Sequence, residues 1–368
     1  MLATGSTEID GAVAPLAKEG SMLDRVIDNA TGEIRSLTGI RGASAVCIVI
    51  VHACLTFGLA IGGGPLVDLF FGLSGFVIAY VYLPRFARGE TWRGFARARF
   101  ARLYPLYFAT ALAFLAIRLA EASVAGSPPK DVNPTQIFQE MALVTALPVI
   151  GTGIVWNIPA WSVVMEWWIN FTLFPLIVLL GSRAAIRPLV VVSGISLVAW
   201  AGFLIYADSR GFELQTGWIG YGRAWFAFGA GWVVYRAWRE TSWRLPARHG
   251  RWLSWASLAL TFSPYLTGWA SEWLAVPLFP IVIFFLLTQK SAICSFLSSR
   301  ALVFLGDISY SIYLMHIMVI RAMQALFHLA HFENRLLFVF NVVVVTLIVS
   351  VVTYSFIEKP ARKLVRGR

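Results

Sequence analysis

The sequence predicts an all-α protein, a polytopic membrane helix bundle of about ten transmembrane helices with both termini in the cytosol. Three observations predict it. Of 368 residues, 58% are hydrophobic and only 13% are charged, and the mean hydropathy is +0.72. A soluble domain is about half apolar and about a quarter charged, so no water-soluble fold of this length hides that much apolar surface. The apolar residues gather into runs of the ~20 residues needed to cross a bilayer. Finally, Lys and Arg alternate between crowded and nearly empty loops, the pattern that orients helices in a membrane.

The elements follow in order. Residues 1–36 are polar and acidic (Glu8, Asp10, Glu19, Asp24, Asp28, Glu33) and lack the basic and apolar regions of a signal peptide, so they read as a cytosolic tail. Spans are expected at 37–60, 65–83, 103–121, 159–180, 188–206, 217–235, 252–269, 272–289, 302–325 and 336–357. Residues 137–150 form a shorter apolar run with Gln139, Glu140 and Pro148, expected to be re-entrant or interfacial within a long outer segment, 122–158. This arrangement puts twenty Lys and Arg inside, from Arg85 to Arg368, and leaves Lys130, Arg210 and Arg335 outside. Counting 137–150 as an eleventh span would invert every later loop and erase the asymmetry. Residues 37–364 thus form one transmembrane domain, followed by a short basic tail, 365–368.

The net charge of +11 belongs to these short inner loops and implies no nucleic-acid partner. Cys47, Cys54 and Cys294 show neither disulfide nor metal spacing, so no metal is expected. The fifteen Trp suit interfacial belts and ring-lined cavities.

Ionisable side chains inside a span are costly and mark candidate sites. At a rise of ~1.5 Å per residue, His52 in the first span, Glu166 in the fourth and His316 in the ninth are each expected roughly 10–13 Å below the outer surface. Asp68 lies shallower, in the second. Each also has a plainer reading: a lone His serves a helix-to-helix hydrogen bond, and Glu166 anchors a helix end beside Trp161, Trp167 and Trp168. Arg118, Arg223 and Arg321 near outer ends are read as snorkelling. At the inner side, Arg97, Arg99 and Arg102 open the third span at the depth of Arg41, and guanidinium forks at one level suit phosphate. Ordinary loop charge explains Arg85 and Arg88; it does not explain Arg41, set in apolar sequence.

These residues fall in segments that together resemble the membrane-bound acyltransferase 3 family. Residues 36–52, SLTGIRGASAVCIVIVH, are similar to its R-x10-H opening. The likeness continues in VDLFFGLSGFVI (67–78), RFARLYPLY (99–107), NIPAWSVVMEWWINFTLF (157–174), LGDISYSIYLMH (305–316) and IEKPAR (357–362). The resemblance implies an O-acyltransferase of the bacterial inner membrane that moves an acyl group, usually acetyl from acetyl-CoA, onto a hydroxyl of a glycan or other surface or secreted molecule. It implies that His52 is the catalytic histidine, with Glu166 beside it on the acidic position of W-S-x-x-x-E. Arg41 would be the motif residue paired with His52, and Arg99 and Arg102 would serve the acyl donor. The residues themselves add Arg41 as a further donor anchor, His52 as a general base or a transient acyl carrier, Glu166 or Asp68 as orienting the imidazole or binding the sugar, and Trp161, Ser162 and His316 as substrate contacts. Ser74 and Ser162 are candidate donors to an oxyanion. One departure is that Trp167 and Trp168 follow Glu166, where the motif usually carries a second acid or Gln. Another is that no fused extracytoplasmic hydrolase-like domain is visible, so transfer is expected from this bundle alone or with a separate partner. The rival reading is a proton-coupled transporter or flippase of a glycan or acidic solute, with the same residues as a proton relay.

Overall fold

The computed structural model describes residues 27–28, 33–126, 132–153, 156–180, 183–262, 270–331 and 333–366. Residues Glu8, Asp10, Glu19 and Asp24 of the expected tail, Lys130, residues 263–269 of the expected seventh span, and residues 367–368 lie outside them. Two two-residue strands, β1 (Ile27–Asp28) and β2 (Glu33–Ile34), pair antiparallel, and among the described residues every other regular element is helical.

The helices are α1 (Arg35–Leu55), α2 (Leu66–Ala87), α3 (Trp92–Ala125), α4 (Pro134–Met141), α5 (Ala160–Leu180), α6 (Ile186–Ser209), α7 (Gly217–Glu240) and α8 (Ala247–Thr261). A 3₁₀ segment, Ala270–Leu278, then leads into α9 (Phe279–Thr288). The last are α10 (Ala292–Leu297), α11 (Arg300–Asp307), α12 (Ser309–Leu329) and α13 (Arg335–Thr353), then a π-helical turn, Tyr354–Glu358, and α14 (Lys359–Arg366). Among the described residues, seven helical segments are long and apolar enough to cross a membrane: Arg35–Leu55, Leu66–Ala87, Trp92–Val124, Ala160–Leu179, Ile186–Ser209, Ser309–Leu329 and Arg335–Leu364.

The other three expected spans take different forms. Helix α7 has 24 residues but carries Arg223, Arg236 and Arg239, which lower its hydropathy. Helix α8 has 15 described residues. The stretch from Glu272 is 3₁₀ around Pro277 before it becomes the ten-residue α9. The expected run 302–325 is broken at Ile308, where α11 ends and α12 begins. Residues 137–150 do not span: α4 is eight residues, ~12 Å, and turns follow it.

Two tight crossings set the frame. Helices α2 and α7 meet through glycine, because a Cβ on Gly75 would stand 2.0 Å from the Phe228 carbonyl oxygen and one on Gly231 1.9 Å from that of Gly72. Helices α1 and α11 meet likewise, a Cβ on Gly306 falling 2.1 Å from the Thr38 carbonyl oxygen. In lipid, where apolar side chains gain little from leaving their solvent, such small-residue contacts drive association.

An ion pair locks the first crossing. Asp68 of α2 and Arg223 of α7 are 1% and 2% exposed, with Arg223 Nη2 2.7 Å from Asp68 Oδ2. The same guanidinium donates to the Leu214 and Gly64 carbonyls and lies over Trp161 and Trp273. Every partner a buried guanidinium needs is present.

Helix α3 is the longest element, with 34 residues and so ~50 Å, more than the ~30 Å hydrocarbon layer. Thr91 caps it by accepting from Gly94 N at 3.1 Å. Its first three turns therefore carry their arginines on a helix, not on a loop: Arg93 and Arg97 stay exposed, Arg99 is buried and Arg102 is half-buried. Pro105 then removes one backbone donor, leaving the Ala101 carbonyl without its helical partner.

Candidate active site

Arg99 and Arg102 of α3 line a cavity of about 360 Å³ between α1, α2, α3, α5 and α14. Five helices contribute polar or aromatic groups: Arg41; Ser74, Tyr80, Tyr82 and Arg85; Arg99 and Arg102; Glu166; and Arg362. Arg99 is buried and ion-paired with Glu166, whose Oε1 also accepts from Ser74 Oγ at 3.3 Å. Arg41 donates to the Gly306 carbonyl at 3.2 Å. Arg362 pairs with Glu358, a carboxylate that also accepts from Ser311 Oγ. Arg85 is exposed, its guanidinium 5.3 Å from the Tyr82 ring. Arg102 is half-buried and, among the described residues, has neither a hydrogen bond nor an ion pair. The cavity thus offers several guanidinium groups and one carboxylate, an electropositive lining suited to an anion.

At Arg41, Ser74, Arg102 and Glu166 this cavity continues into a smaller chamber of about 60 Å³. Phe70, Phe71, Ser162, Ser309, Tyr310 and Tyr313 form its walls. Ser162 Oγ donates to the Tyr313 hydroxyl at 2.9 Å, a polar pair among the rings of Phe70 and Phe71.

Rings lead on from there. Tyr313 stands 6.3 Å from Phe70 and 5.8 Å from His316, centroid to centroid. His316 is fully buried and its ring lies 4.9 Å from that of His52. His316 Nε2 is 3.2 Å from His52 Nδ1, joining α12 to the last turn of α1. His52 Nδ1 also faces the Ile48 carbonyl at 3.0 Å, and His316 Nδ1 that of Tyr313 at 2.6 Å.

The sequence model of a family described as an acyltransferase domain matches residues 34–355. The chain belongs to the acyltransferase 3 family. Among curated proteins it is similar to "Protein 2 in picA locus" of Rhizobium radiobacter, 37% identical over 178 residues, 44% of this chain and 90% of the relative. No solved structure matches. As an acyltransferase 3 protein it is a multi-pass membrane enzyme that transfers acyl groups, the reading set against a transporter.

Within this family member the expected residues are redistributed. His52 and His316, from helices 264 positions apart in sequence, do meet. Glu166 does not join them at the expected common depth; it sits with Arg99, which had been expected near the inner face. His52 is also closer to its helix end than expected, because α1 stops at Leu55 and not at residue 60. That places it about 5 Å from the end, not 12 Å. Asp68 lines neither cavity, its carboxylate enclosed by Arg223, and Trp161 is buried beneath the same guanidinium. Ser162, Arg41, Arg99 and Arg102 do line a cavity. Sequence reasoning missed Tyr313, Ser311, Glu358 and Arg362. Their signal was present in LGDISYSIYLMH and IEKPAR, but a Tyr or an Arg near a helix end has no feature that singles it out.

Proposed function

We propose that this acyltransferase 3 protein moves an acyl group, acetyl foremost, from acyl-CoA at the cytosolic side of the bacterial inner membrane to a hydroxyl of an extracytoplasmic or lipid-linked glycan. One observation carries the reading: a cavity of about 360 Å³ lined by Arg41, Arg85, Arg99, Arg102 and Arg362 narrows into a chamber with Ser162 and Tyr313 on its wall. Forked guanidinium groups match phosphate oxygens, Tyr80 and Tyr82 offer faces to a base, and the narrow chamber suits the acyl end. In this reading residues 37–364 are the transferase unit, between the tail at 1–36 and the basic end at 365–368. Helix α7, helix α8 and the stretch ending in α9 complete ten spans with both termini in the cytosol, as the loop charges favour.

The reaction breaks the thioester C–S bond and forms an ester C–O bond. His52 accepts the proton of the acceptor hydroxyl as the oxygen attacks the acyl carbon, then returns it to the departing sulfur, releasing CoA as the thiol. Arg102 and Arg41 hold donor phosphate. Arg99 is already neutralised by Glu166 and sets the position of that carboxylate at the junction of the two cavities. Ser162 and Tyr313, whose hydroxyls share a hydrogen bond on the chamber wall, are the candidate donors to the developing oxyanion.

The test is purified protein in liposomes with radiolabelled acetyl-CoA and a hydroxylated glycan. Wild type is expected to form labelled ester and release one CoA per ester, and His52→Ala to do neither at an equal amount in the membrane. Undiminished transfer by His52→Ala would refute the mechanism; ester formation from a donor other than acyl-CoA would refute the donor. Mass spectrometry of surface glycans with and without the protein identifies the acceptor.

A further inference from the structure

The histidine pair allows its protons to be counted. His316 is fully buried, and its Nδ1 faces the Tyr313 carbonyl at 2.6 Å. A carbonyl oxygen only accepts, so Nδ1 of His316 carries the hydrogen. Among the described residues no carboxylate contacts this ring to balance a second proton, so its Nε2 bears a lone pair. That lone pair faces His52 Nδ1 at 3.2 Å. Two lone pairs would repel there, so His52 Nδ1 must carry a hydrogen. The Ile48 carbonyl, 3.0 Å from the same atom, makes the same demand. Every acceptor around His52 Nδ1 therefore calls for a proton, and the neutral ring has none left for Nε2.

We infer that His316 is a positioning residue that, with the Ile48 carbonyl, holds the proton of His52 on Nδ1 and leaves His52 Nε2 as the base. The inference rests on the acyl-transfer reading for what the base does, but not for where its proton sits. His316 acts as a neutral orienting group. When Nε2 takes the hydroxyl proton, Nδ1–H continues to donate to His316, so the imidazolium keeps both hydrogen bonds and no group has to turn. Free imidazole side chains favour the opposite neutral form, with hydrogen on Nε2, which would have no lone pair to offer there. His316 thus has a role apart from the substrate contact expected of it, and it needs no access to either cavity.

The experiment has two arms. Solid-state NMR of proteoliposomes containing ring-¹⁵N histidine separates protonated from unprotonated ring nitrogens. The five histidines are resolved by comparison with His52→Gln and His316→Gln. In wild type at neutral pH, His52 is expected to be protonated on Nδ1 and bare on Nε2; a proton on Nε2 would overturn the inference. In the kinetic arm, His316→Leu removes the acceptor and His316→Gln keeps one in its side-chain oxygen. The Leu variant is expected to lose roughly 10²- to 10⁴-fold in kcat, as when an orienting group is removed from a catalytic histidine, with KM for acyl-CoA unchanged. Gln should restore most of that loss. Equal kcat for wild type and Leu, or no recovery with Gln, would also overturn it. If Leu does not assemble, the wild-type spectrum alone decides. Failure of the acyl-transfer reading looks different: His52→Ala stays active whatever the spectrum shows.

Discussion

Arg99 of α3 and Glu166 of α5 form an ion pair at the junction of the two cavities, with side chains only 7% and 19% exposed. Removing one partner leaves the other charged and desolvated, which costs more than the pair itself contributes. Arg99→Gln is expected to lower stability by about 3 kcal/mol, read as a drop in Tm in detergent. The double variant Arg99→Gln with Glu166→Gln should recover most of that loss.

Arg102 differs because no described group engages it. Arg102→Gln is expected to leave Tm unchanged and to raise KM for acyl-CoA about tenfold, the scale of one charge-assisted hydrogen bond. An unchanged KM would return Arg102 to ordinary inner-face charge.

The Asp68–Arg223 pair predicts a purely structural phenotype. Asp68→Ala is expected to destabilise by about 3–5 kcal/mol, leaving Arg223 buried with carbonyls and rings alone. Asp68→Asn keeps part of the hydrogen bonding and should cost less. In protein that still assembles, KM for donor and acceptor should match wild type, since Asp68 lines neither cavity; a selective rise in acceptor KM would reinstate it as a substrate contact.

Glu140, on α4 outside the spanning helices, carries a pH dependence. It is 2% exposed, and burial pushes its carboxyl up to about 7 from 4.5, partly offset by the Thr145 hydroxyl. The folded protein therefore binds this proton more tightly than the unfolded chain, and stability must fall as pH rises from about 4.5 to about 7. The full effect, above pH 7, is on the order of 3 kcal/mol. Glu140→Gln removes the dependence, so its Tm should decline less between pH 5 and pH 8 than that of wild type. Parallel decline would assign the carboxylate no such role.

What was legible in the sequence follows from cost. His52 and His316 stood out because an imidazole in apolar sequence must find a partner, and the partner each found was the other. Arg41 stood out for the same reason. Glu166 was equally visible but its neighbour was not, because counting spans from apolar residues started the third at 103. The helix begins at Trp92, carrying Arg99 two turns into the bundle where an acid can reach it. Asp68 looked costly alone, whereas Arg223 was read as snorkelling; it is instead 2% exposed and ion-paired with Asp68, and nothing in their separate spans announced that one neutralises the other. Helix α7 shows why counting by hydropathy stops short: its arginines are satisfied by Asp68, by Glu240 and by ring faces, an accounting that exists only in three dimensions.

The π-helical turn at Tyr354–Glu358 has a consequence for biogenesis. One extra residue in that turn accompanies the inward placement of Glu358, which is 1% exposed and holds Arg362 at the rim of the cavity that Arg41 begins. The wall of this cavity is therefore assembled from residues 321 positions apart. A nascent chain that has passed α12 but not yet α14 would possess the histidine pair and, of the arginines lining the cavity, Arg41, Arg85, Arg99 and Arg102, yet leave that cavity open on one side.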